Sequence, residues 1–263
     1  MHPVLFKIPW GGGLEIHSYG VMVALGFLAA LAWIRYQAPR AGLPAGKMLD
    51  FAFWMMVSAI VGSRLAFLIV EWRYYLAHPA AALRVWEGGL VFYGGLLACI
   101  WVAWVYLKRH ALNFWKVADV FMPGVALGHS LGRIGCFLAG CCYGRTCDPH
   151  AWYALHFPTG EETLAPGGLP LYPTQWIESA ANLLIFLFLA WRSRKKAFDG
   201  QILLLYLITY SILRIAIELL RGDQERGFVI GHWLSTSQFL SGLLLVTALF
   251  VLFYRRGRDH ESN

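Results

Sequence analysis

The sequence predicts an all-α integral membrane protein with seven transmembrane helices and a small outer loop region between the fourth and fifth helices. Hydrophobic residues make up 58% of the 263 residues and charged residues only 14%, about half the usual share of a soluble domain. So little charge cannot cover a water-soluble surface, and the 16% aromatic content excludes an intrinsically disordered chain. Seven spans of about 20 residues would use about 140 residues, so we expect residues 1–263 to form one polytopic membrane domain.

Seven stretches of the chain have the length and apolar character of membrane-crossing helices. Windows of about 19 residues place them at 18–34, 51–69, 89–107, 117–138, 176–191, 202–220 and 233–254. The third and seventh stretches carry no charged residue, whereas the fourth and sixth each carry more than one. The longest loop, about residues 139–171, joins the fourth and fifth stretches and forms the predicted outer loop region.

Lysine and arginine residues are divided unevenly between the two sides of this predicted bundle. Thirteen of the 22 lie in the loops and tail of one side, and six lie on the other side. Because cytoplasmic loops carry the excess of positive charge, we expect the N-terminus outside and the C-terminus in the cytoplasm. The net charge of +7 then encodes orientation rather than a nucleic-acid partner, since basic and aromatic residues do not interleave as in a nucleic-acid groove.

Three arginines fall inside the predicted spans, where a charge is costly and indicates function by default. Arg64, Arg133 and Arg214 each lie five or six residues before the outer end of a span, which is ~8 Å along a helix. Polar residues at the outer starts of other spans share this depth, namely Tyr19, Glu87 and Tyr93. One such arginine alone would reach the interface with its own side chain, and for Arg64 we favour a structural role. The set together predicts an anion site.

Four-residue spacings put further groups on shared helix faces. His129 shares a face with Arg133, and Glu218 shares a face with Arg214, where it could pair with the guanidinium group. A run of glycines at the same spacing would let a neighbouring helix approach the fourth span closely, at Gly124, Gly128 and Gly132. The fourth and sixth spans therefore carry the main candidate groups.

A cluster of arginines just below the outer surface is suited to binding phosphate, which guanidinium groups bind through two parallel hydrogen bonds. The most abundant anion at that depth is a phospholipid headgroup. The residues alone therefore predict an outer-leaflet enzyme that acts on an anionic lipid, or a transporter or binding protein for such a lipid. A transporter would be expected to contain internal repeats, and we find none in the sequence.

Residues 132–144 read G-R-I-G-C-F-L-A-G-C-C-Y-G, and this segment resembles the signature of the prolipoprotein diacylglyceryl transferases. Shorter matches to the family follow in the same order along nearly the whole chain, at 17–20, 62–64, 85–95, 173–178 and 214–223. Each match alone is weak, and their order makes the resemblance specific. The family's seven spans, outside N-terminus and cytoplasmic C-terminus agree with the expectations above.

The resemblance implies a transfer reaction in the bacterial cytoplasmic (inner) membrane. The diacylglyceryl group of phosphatidylglycerol would move to the lipobox cysteine thiol in the signal peptide of a prolipoprotein. A thioether would form and glycerol 1-phosphate would leave. The expected partners are therefore phosphatidylglycerol, prolipoprotein signal peptides and membrane lipid, with no nucleic acid. The resemblance implies no metal and no other cofactor.

Site residues follow from the same motif matches. Arg133 and Arg214 would bind the phosphate and offset its charge, while Tyr19 and Glu218 would orient these groups by hydrogen bonds. The matching positions that would contact the lipid headgroup are Glu87, Gly94, Gly95, Cys136 and Gly144. A base beside them would help to form the attacking thiolate.

The chain departs from the family pattern at the residue considered as the base. Tyr93 stands where the family usually has histidine, and a tyrosine of ordinary pKa, about 10, is a poor base at neutral pH. A neighbouring arginine would lower that pKa. His129, one helical turn before Arg133, is the alternative base. This departure also leaves an alternative open, in which the chain is a divergent family member that acts on another thiol or lipid acceptor.

Cysteines replace polar residues of the signature. Cys136 stands at its asparagine and Cys141 at its glutamate, and Cys142 and Cys147 lie close by in the sequence. Three interpretations remain open: packing, a disulfide such as one between Cys147 and the adjacent pair, or redox or metal chemistry. The four-residue gaps differ from the C-x-x-C spacing that is typical of metal sites.

Overall fold

The computed structural model describes residues 3–8, 14–84, 88–159, 163–223, 227–230 and 234–261. Within these ranges the chain forms eight α-helices. Their bounds are Ser18–Gln37 (α1), Ala45–Val70 (α2), Trp72–Ala77 (α3), Phe92–Arg109 (α4), Phe114–Ala139 (α5), Thr174–Ser193 (α6), Gln201–Glu218 (α7) and Thr236–Glu261 (α8). Two 3-10 helices, Pro39–Ala41 and Pro79–Leu83, lie in the connections.

Each of the seven predicted spans coincides with one long helix, and the short α3 is the helix that the sequence did not predict. The predicted all-α membrane fold agrees with this architecture. Four of the long helices, α1, α2, α7 and α8, are long and apolar enough to cross a membrane. The full number of seven spans stays a prediction.

Helix ends differ from the predicted ones where local backbone chemistry decides them. The third span begins at Phe92 because Gly88 and Gly89 have φ values of +87° and +74°, which a right-handed helix excludes. The fourth begins earlier than predicted. There the Asn113 side chain accepts hydrogen bonds from the N–H groups of Trp115 and Lys116, at 2.9 and 3.3 Å, and caps the first turn.

Three short antiparallel strand pairs accompany the helices. Strands β1 (Val4–Ile8) and β2 (Leu14–His17) form a hairpin before α1. The pair β3 (Leu155–His156) and β4 (Pro170–Leu171) lies between α5 and α6, and the pair β5 (Phe228–Ile230) and β6 (Leu234–Ser235) lies between α7 and α8. Each pair is too small to form a layer of its own, so the architecture remains helical.

The chain divides into two compact units, of which the smaller is Ile34–Val117. In this unit α2 packs against α4 along a contact of small residues. A Cβ atom added to Gly94 would lie 2.5 Å from the carbonyl oxygen of Gly62, and one added to Gly95 would lie 2.9 Å from the carbonyl oxygen of Ala59. Larger side chains at these positions would therefore force the two helices apart.

Arg64 has the structural role that the sequence analysis favours. It is buried on α2, and its guanidinium group donates hydrogen bonds to main-chain carbonyl groups of the segment that follows α3. The shortest of these hydrogen bonds join the guanidinium group to the carbonyl oxygens of Gly88 and Ala81, at 2.7 and 2.8 Å. Because these oxygens take up its N–H groups, Arg64 organises a loop and is not available to a ligand.

The larger unit consists of Met1–Trp33 and Ala118–Asn263. Glycines bring α1 and α5 together, since a Cβ atom on Gly26 would lie 3.0 Å from the carbonyl oxygen of Gly128. Gly124 also meets α1, at Ala30, whereas Gly132 has open space around it, so two of the three predicted close contacts are present. Helix α7 packs on both α6 and α8. Buried apolar side chains of α5, α6 and α7 form the core, at Ala126, Ile185, Leu189, Ile202 and Tyr206.

Asp119 fixes the start of α7 against α5. Its buried carboxylate accepts hydrogen bonds from the N–H groups of Gly200, Ile202 and Leu203 at 2.8 to 3.1 Å, and it pairs with Lys196 at 3.0 Å. These N–H groups belong to the first turn of α7, which carries partial positive charge. The contact therefore sets the register of α7 on α5, and with it the relative height of Arg214 and Arg133 on these helices.

The segment between α5 and α6 has a small core of its own. Phe157, Ala165 and Leu171 are buried in it, with Phe137 of α5 packed against them. Trp152 in the same segment is 95% exposed. The described residues of the predicted outer loop region therefore pack on the C-terminal end of α5.

Candidate functional site: a paired-arginine pocket

Arg133 on α5 forms an ion pair with Glu178 on α6. The Nη2 atom of Arg133 lies 2.7 Å from Oε1 of Glu178, whose side chain is 3% exposed. The carboxylate also lies in the electrostatic field of Arg214 and Arg221. Glu178 therefore holds the Arg133 guanidinium group in place and balances positive charge among three arginines.

Arg214 on α7 pairs with Glu218 one turn later, as the spacing in the sequence suggests. The distance from Nη2 of Arg214 to Oε2 of Glu218 is 2.8 Å, and Nη2 also donates to the Ser237 hydroxyl at 2.9 Å. Within the described part of the chain, the buried Nη1 atom of Arg214 has no hydrogen-bond partner. An unpaired buried guanidinium N–H group is unfavourable unless a ligand meets it, so this atom is a candidate anion contact.

Arg221 follows α7 and was not among the predicted site residues. It forms a two-pronged contact with Asp223, in which Nε donates to Oδ1 at 2.9 Å and Nη2 meets Oδ2. Its main chain pairs with Gly144 in an antiparallel bridge. A Cβ atom on Gly144 would lie 2.4 Å from the carbonyl oxygen of Tyr172. Gly144 therefore lets three chain segments meet and positions Arg221.

A pocket of about 640 Å³ opens beside Arg214 and Arg221. Arg214, Arg221 and Asp223 line one part of it, and Cys141 and Cys142 line another. Ser237, which bonds to Arg214, also faces the pocket. A volume of this size suits a phosphate headgroup with part of the attached molecule. The arginines give it the charge that an anion requires.

His129 lies on α5 one turn before Arg133, as predicted. Its Nδ1 atom is 3.2 Å from the hydroxyl oxygen of Tyr206, and its ring centroid is 5.2 Å from that of Tyr210. Tyr206 and Tyr210 stack on each other at 5.6 Å. These two tyrosines of α7 hold the imidazole ring in a fixed orientation, which suits a group that transfers a proton.

Tyr19 begins α1 and is 45% exposed. A Cβ atom on Gly135 would touch its ring at 3.3 Å, so α1 and α5 are in close contact here. The Tyr19 hydroxyl lies in the electrostatic field of Arg133 and of the cysteines at the end of α5. The structure therefore brings together Tyr19, Arg133 and Cys136 from the set predicted in the sequence.

Three cysteines meet at the C-terminal end of α5. The Sγ atoms of Cys136, Cys141 and Cys142 all lie within 4.8 Å of one another. Hydrogen bonds from Cys136 and Cys141 lower the pKa of the Cys142 thiol, and Arg133 and Arg221 act in the same direction. Cys136 also lies beside Arg133, with 4.0 Å between Sγ and Nη1. All five cysteines are free thiols in the structure.

The other predicted site residues belong to the smaller unit. Tyr93 lies in the first turn of α4, is 61% exposed and contacts the ring of Phe92 at 5.7 Å. Gly94 and Gly95 lie in the contact between α2 and α4, which accounts for them by packing. Glu87 lies outside the described residues. The roles of these four residues stay predictions.

Sequence reasoning missed two acidic partners and one arginine. Glu178 was matched to a motif without a role, and neither Arg221 nor Asp223 was chosen as a site residue. A charge inside a predicted span was the available signal for Glu178, because buried carboxylates are paired. No spacing rule could connect it to Arg133, since the two residues lie on different helices.

The chain matches the family model described as prolipoprotein diacylglyceryl transferase over residues 3–254. It is 36% identical over 259 residues to the phosphatidylglycerol–prolipoprotein diacylglyceryl transferase of Clostridium tetani (strain Massachusetts / E88), across 98% of this chain and 99% of that protein. It is also 36% identical over 240 residues to the phosphatidylglycerol–prolipoprotein diacylglyceryl transferase 2 of Clostridium perfringens (strain 13 / Type A), across 91% of both chains. It is 32% identical over 262 residues to the phosphatidylglycerol–prolipoprotein diacylglyceryl transferase of Dehalococcoides mccartyi (strain ATCC BAA-2266 / KCTC 15142 / 195), across 99% of this chain and 96% of that protein.

Proposed function

This chain belongs to the prolipoprotein diacylglyceryl transferase family, and on that premise we propose that it transfers a diacylglyceryl group from phosphatidylglycerol to a prolipoprotein. The acceptor is the thiol of the lipobox cysteine in the signal peptide. A bond forms between that sulfur and a glycerol carbon, the bond between the same carbon and the phosphate oxygen breaks, and glycerol 1-phosphate leaves. The thiol proton passes to a base, and the leaving phosphate takes up the negative charge.

The unpaired Nη1 atom of Arg214 is the observation that supports this proposal most directly. It is a buried donor on a residue that lines a pocket of about 640 Å³, and Arg221 lines the same pocket. Phosphate oxygens accept strong hydrogen bonds from guanidinium N–H groups of this kind. Charge that builds up on a leaving phosphate is stabilised by donors that are already oriented, and Glu218 and Ser237 orient Arg214 before any ligand binds.

The other site residues have supporting roles in this proposal. Arg133, held by Glu178, binds the phosphate from α5. Tyr19 donates a hydrogen bond to the headgroup from the start of α1. Cys136 lines the same region, and Gly144 positions the main chain beside Arg221. For Tyr93, Glu87, Gly94 and Gly95, a role in headgroup contact rests on the motif matches alone.

We propose further that all seven long helices cross the bacterial cytoplasmic (inner) membrane. Their lengths of 18 to 26 residues suit a hydrocarbon core of about 30 Å. The division of lysine and arginine, thirteen against six, favours an outside N-terminus and a cytoplasmic C-terminus. The arginine pocket then opens toward the outer leaflet, where a signal peptide emerges after translocation.

Reconstitution tests the proposed reaction directly. We expect the purified protein, in vesicles that contain phosphatidylglycerol, to add a diacylglyceryl group to a peptide with a lipobox cysteine. The mass of the peptide and the release of glycerol 1-phosphate are the two measurements. A peptide with serine in place of the cysteine, and vesicles of phosphatidylcholine alone, are the controls. Absence of a thioether product from protein that is folded by circular dichroism would reject the proposal.

His129 is the base in this mechanism. We expect His129→Ala to lower the transfer rate by about 10²-fold or more, in the range that general bases contribute. Added imidazole should restore part of the rate, because a small base could occupy the space that the side chain leaves. Tyr206→Phe, which removes only the hydroxyl group at 3.2 Å, should have a smaller effect. Full activity in the His129→Ala variant together with an inactive Tyr93→Phe variant would assign the role of general base to Tyr93.

A further inference from the structure

The cysteines of the candidate site form a cluster that the transfer reaction does not require. Cys136 is buried near the end of α5, and Cys141 and Cys142 follow within the next turn. Their three Sγ atoms lie within 4.8 Å of one another. Cys147 continues the same sequence pattern but is not part of the cluster. Packing alone would not require three sulfur atoms to lie so close together.

The backbone holds these sulfur atoms together through a turn with left-handed residues. Gly140 has φ +71° and Cys142 has φ +58°, and the second value is uncommon for any residue other than glycine. The N–H group of Cys141 donates to the carbonyl oxygen of Cys136 at 3.0 Å. This turn folds the adjacent cysteines back onto the end of α5, so the four-residue gap still brings the three thiols together.

Two buried side chains of α6 hold the turn in this shape. Thr174 donates to the carbonyl oxygen of Cys142 at 3.0 Å, and Gln175 donates to that of Cys141 at 2.9 Å. Both residues are at most 1% exposed. The thiols therefore sit on a backbone whose carbonyl groups are anchored before a ligand arrives, which lowers the entropic cost of binding.

The size and charge of the cluster fit a thiophilic metal ion. Sulfur atoms bound to Zn²⁺ at about 2.3 Å lie roughly 4 Å apart, so small side-chain rotations would close the cluster around an ion. Thiolate ligands select soft cations such as Cu⁺ and Zn²⁺. Three thiolates would give the site a net negative charge, and the Arg133 guanidinium, 4.0 Å from Cys136, would stabilise it.

We propose that Cys136, Cys141 and Cys142 bind one thiophilic metal ion with a filled d shell, Cu⁺ or Zn²⁺, through their three sulfur atoms. Each thiol that is protonated releases its proton as its bond to the metal forms, and no electron is transferred. Three thiolates complete the coordination of Cu⁺. Zn²⁺ takes four ligands and would need one more from outside the cluster. This proposal does not rest on the proposed transfer reaction, although Cys141 and Cys142 line the same pocket as Arg214.

Titration with Cd²⁺ tests the site in the full-length protein in detergent, after reduction with a phosphine that keeps all cysteines as thiols. We expect an ultraviolet sulfur-to-cadmium charge-transfer band that saturates at one equivalent and is displaced by Zn²⁺ or Cu⁺. Cys136→Ser, Cys141→Ser and Cys142→Ser should each weaken Cd²⁺ binding by at least about 10-fold, since even outer-shell changes have effects of that order. Cys147→Ser is the matched control and should bind as the unmodified protein does.

X-ray absorption of the zinc-loaded, unmodified protein gives a second measurement that does not depend on the folding of a variant. We expect three sulfur ligands at about 2.3 Å. A band that survives in Cys142→Ser or disappears in Cys147→Ser would place the ion elsewhere and overturn the proposal. So would a zinc spectrum with oxygen and nitrogen ligands only. Transferase activity is not part of either measurement, so a failure here leaves the proposed reaction untouched.

Discussion

Arg214→Ala is expected to lower the rate of diacylglyceryl transfer by about 10²–10³-fold, the effect of removing one oriented donor from a developing anion. The substitution removes the buried Nη1 donor of a residue that lines the pocket. The measurement is kcat/KM for phosphatidylglycerol in the reconstituted assay. Because we propose Nη1 as a contact of the leaving phosphate, we expect most of the loss in kcat rather than in KM.

Three further variants separate the charge of Arg214 from its geometry. Arg214→Lys keeps the charge but loses the planar fork, so we expect it to recover only a small part of the activity. Ser237→Ala removes one hydrogen bond to Nη2 and should reduce the rate several-fold. Arg192→Ala changes an arginine in the last turn of α6, far along that helix from Glu178, and should leave transfer unchanged. Wild-type activity in Arg214→Ala would remove this residue from the mechanism.

Breaking the ion pair between Arg133 and Glu178 is the second large effect we expect. Glu178→Gln leaves the Arg133 guanidinium without its partner at 2.7 Å. Removing one member of a buried pair commonly destabilises a protein by about 3–5 kcal/mol. We therefore expect a decrease of about 3 kcal/mol in the free energy of unfolding, together with a large loss of transfer activity. Tryptophan fluorescence during unfolding in mixed micelles measures the first quantity.

The double variant Arg133→Gln/Glu178→Gln distinguishes a structural from a catalytic role of the pair. Two neutral amides can bond to each other, so we expect the free energy of unfolding to return to within about 1 kcal/mol of that of the unmodified protein. Transfer should stay about 10²-fold or more below the unmodified rate, because in the proposed mechanism the phosphate loses the Arg133 charge. If activity returned together with stability, Arg133 would be a structural residue only.

The pair of Asp119 and Lys196 supplies a matched control for this experiment. It is also an ion pair with a buried carboxylate, at 3.0 Å, but it lies at the N-terminal end of α7, at the opposite end of that helix from Arg214 and Glu218. Asp119→Asn should lower the free energy of unfolding without a loss of transfer beyond the fraction of protein that unfolds. This outcome would show that loss of stability alone does not stop the reaction.

Interactions within one helix were the part of the site that the sequence could predict. The pairing of Arg214 with Glu218 and the proximity of His129 to Arg133 follow from a four-residue spacing, because helix geometry alone puts such residues on one face. The structure agrees with both expectations, since Arg214 pairs with Glu218 at 2.8 Å and His129 lies one turn before Arg133 on α5.

Interactions between distant segments could not be predicted in this way. Glu178 reaches Arg133 only because α6 packs beside α5, and Arg221 is in place only because its main chain pairs with Gly144. The start of α4 depends on two glycines with positive φ, and the start of α5 depends on the Asn113 cap. Hydropathy averaged over a window of about 19 residues does not detect a single capping residue or turn, so the helix ends were the least accurate predictions.

The sequence by itself determined the helical membrane architecture and the family, because apolar length, charge placement and ordered motifs are all properties of the linear chain. Only the tertiary structure decided which carboxylate balances which arginine, which arginine keeps an unpaired donor, and that Cys136, Cys141 and Cys142 form one cluster. The physical reason is that hydrophobicity is summed along a segment. The ion pair of Arg133 with Glu178 and the cysteine cluster instead depend on distances of 2.7 Å and at most 4.8 Å between individual atoms, which packing and turns set.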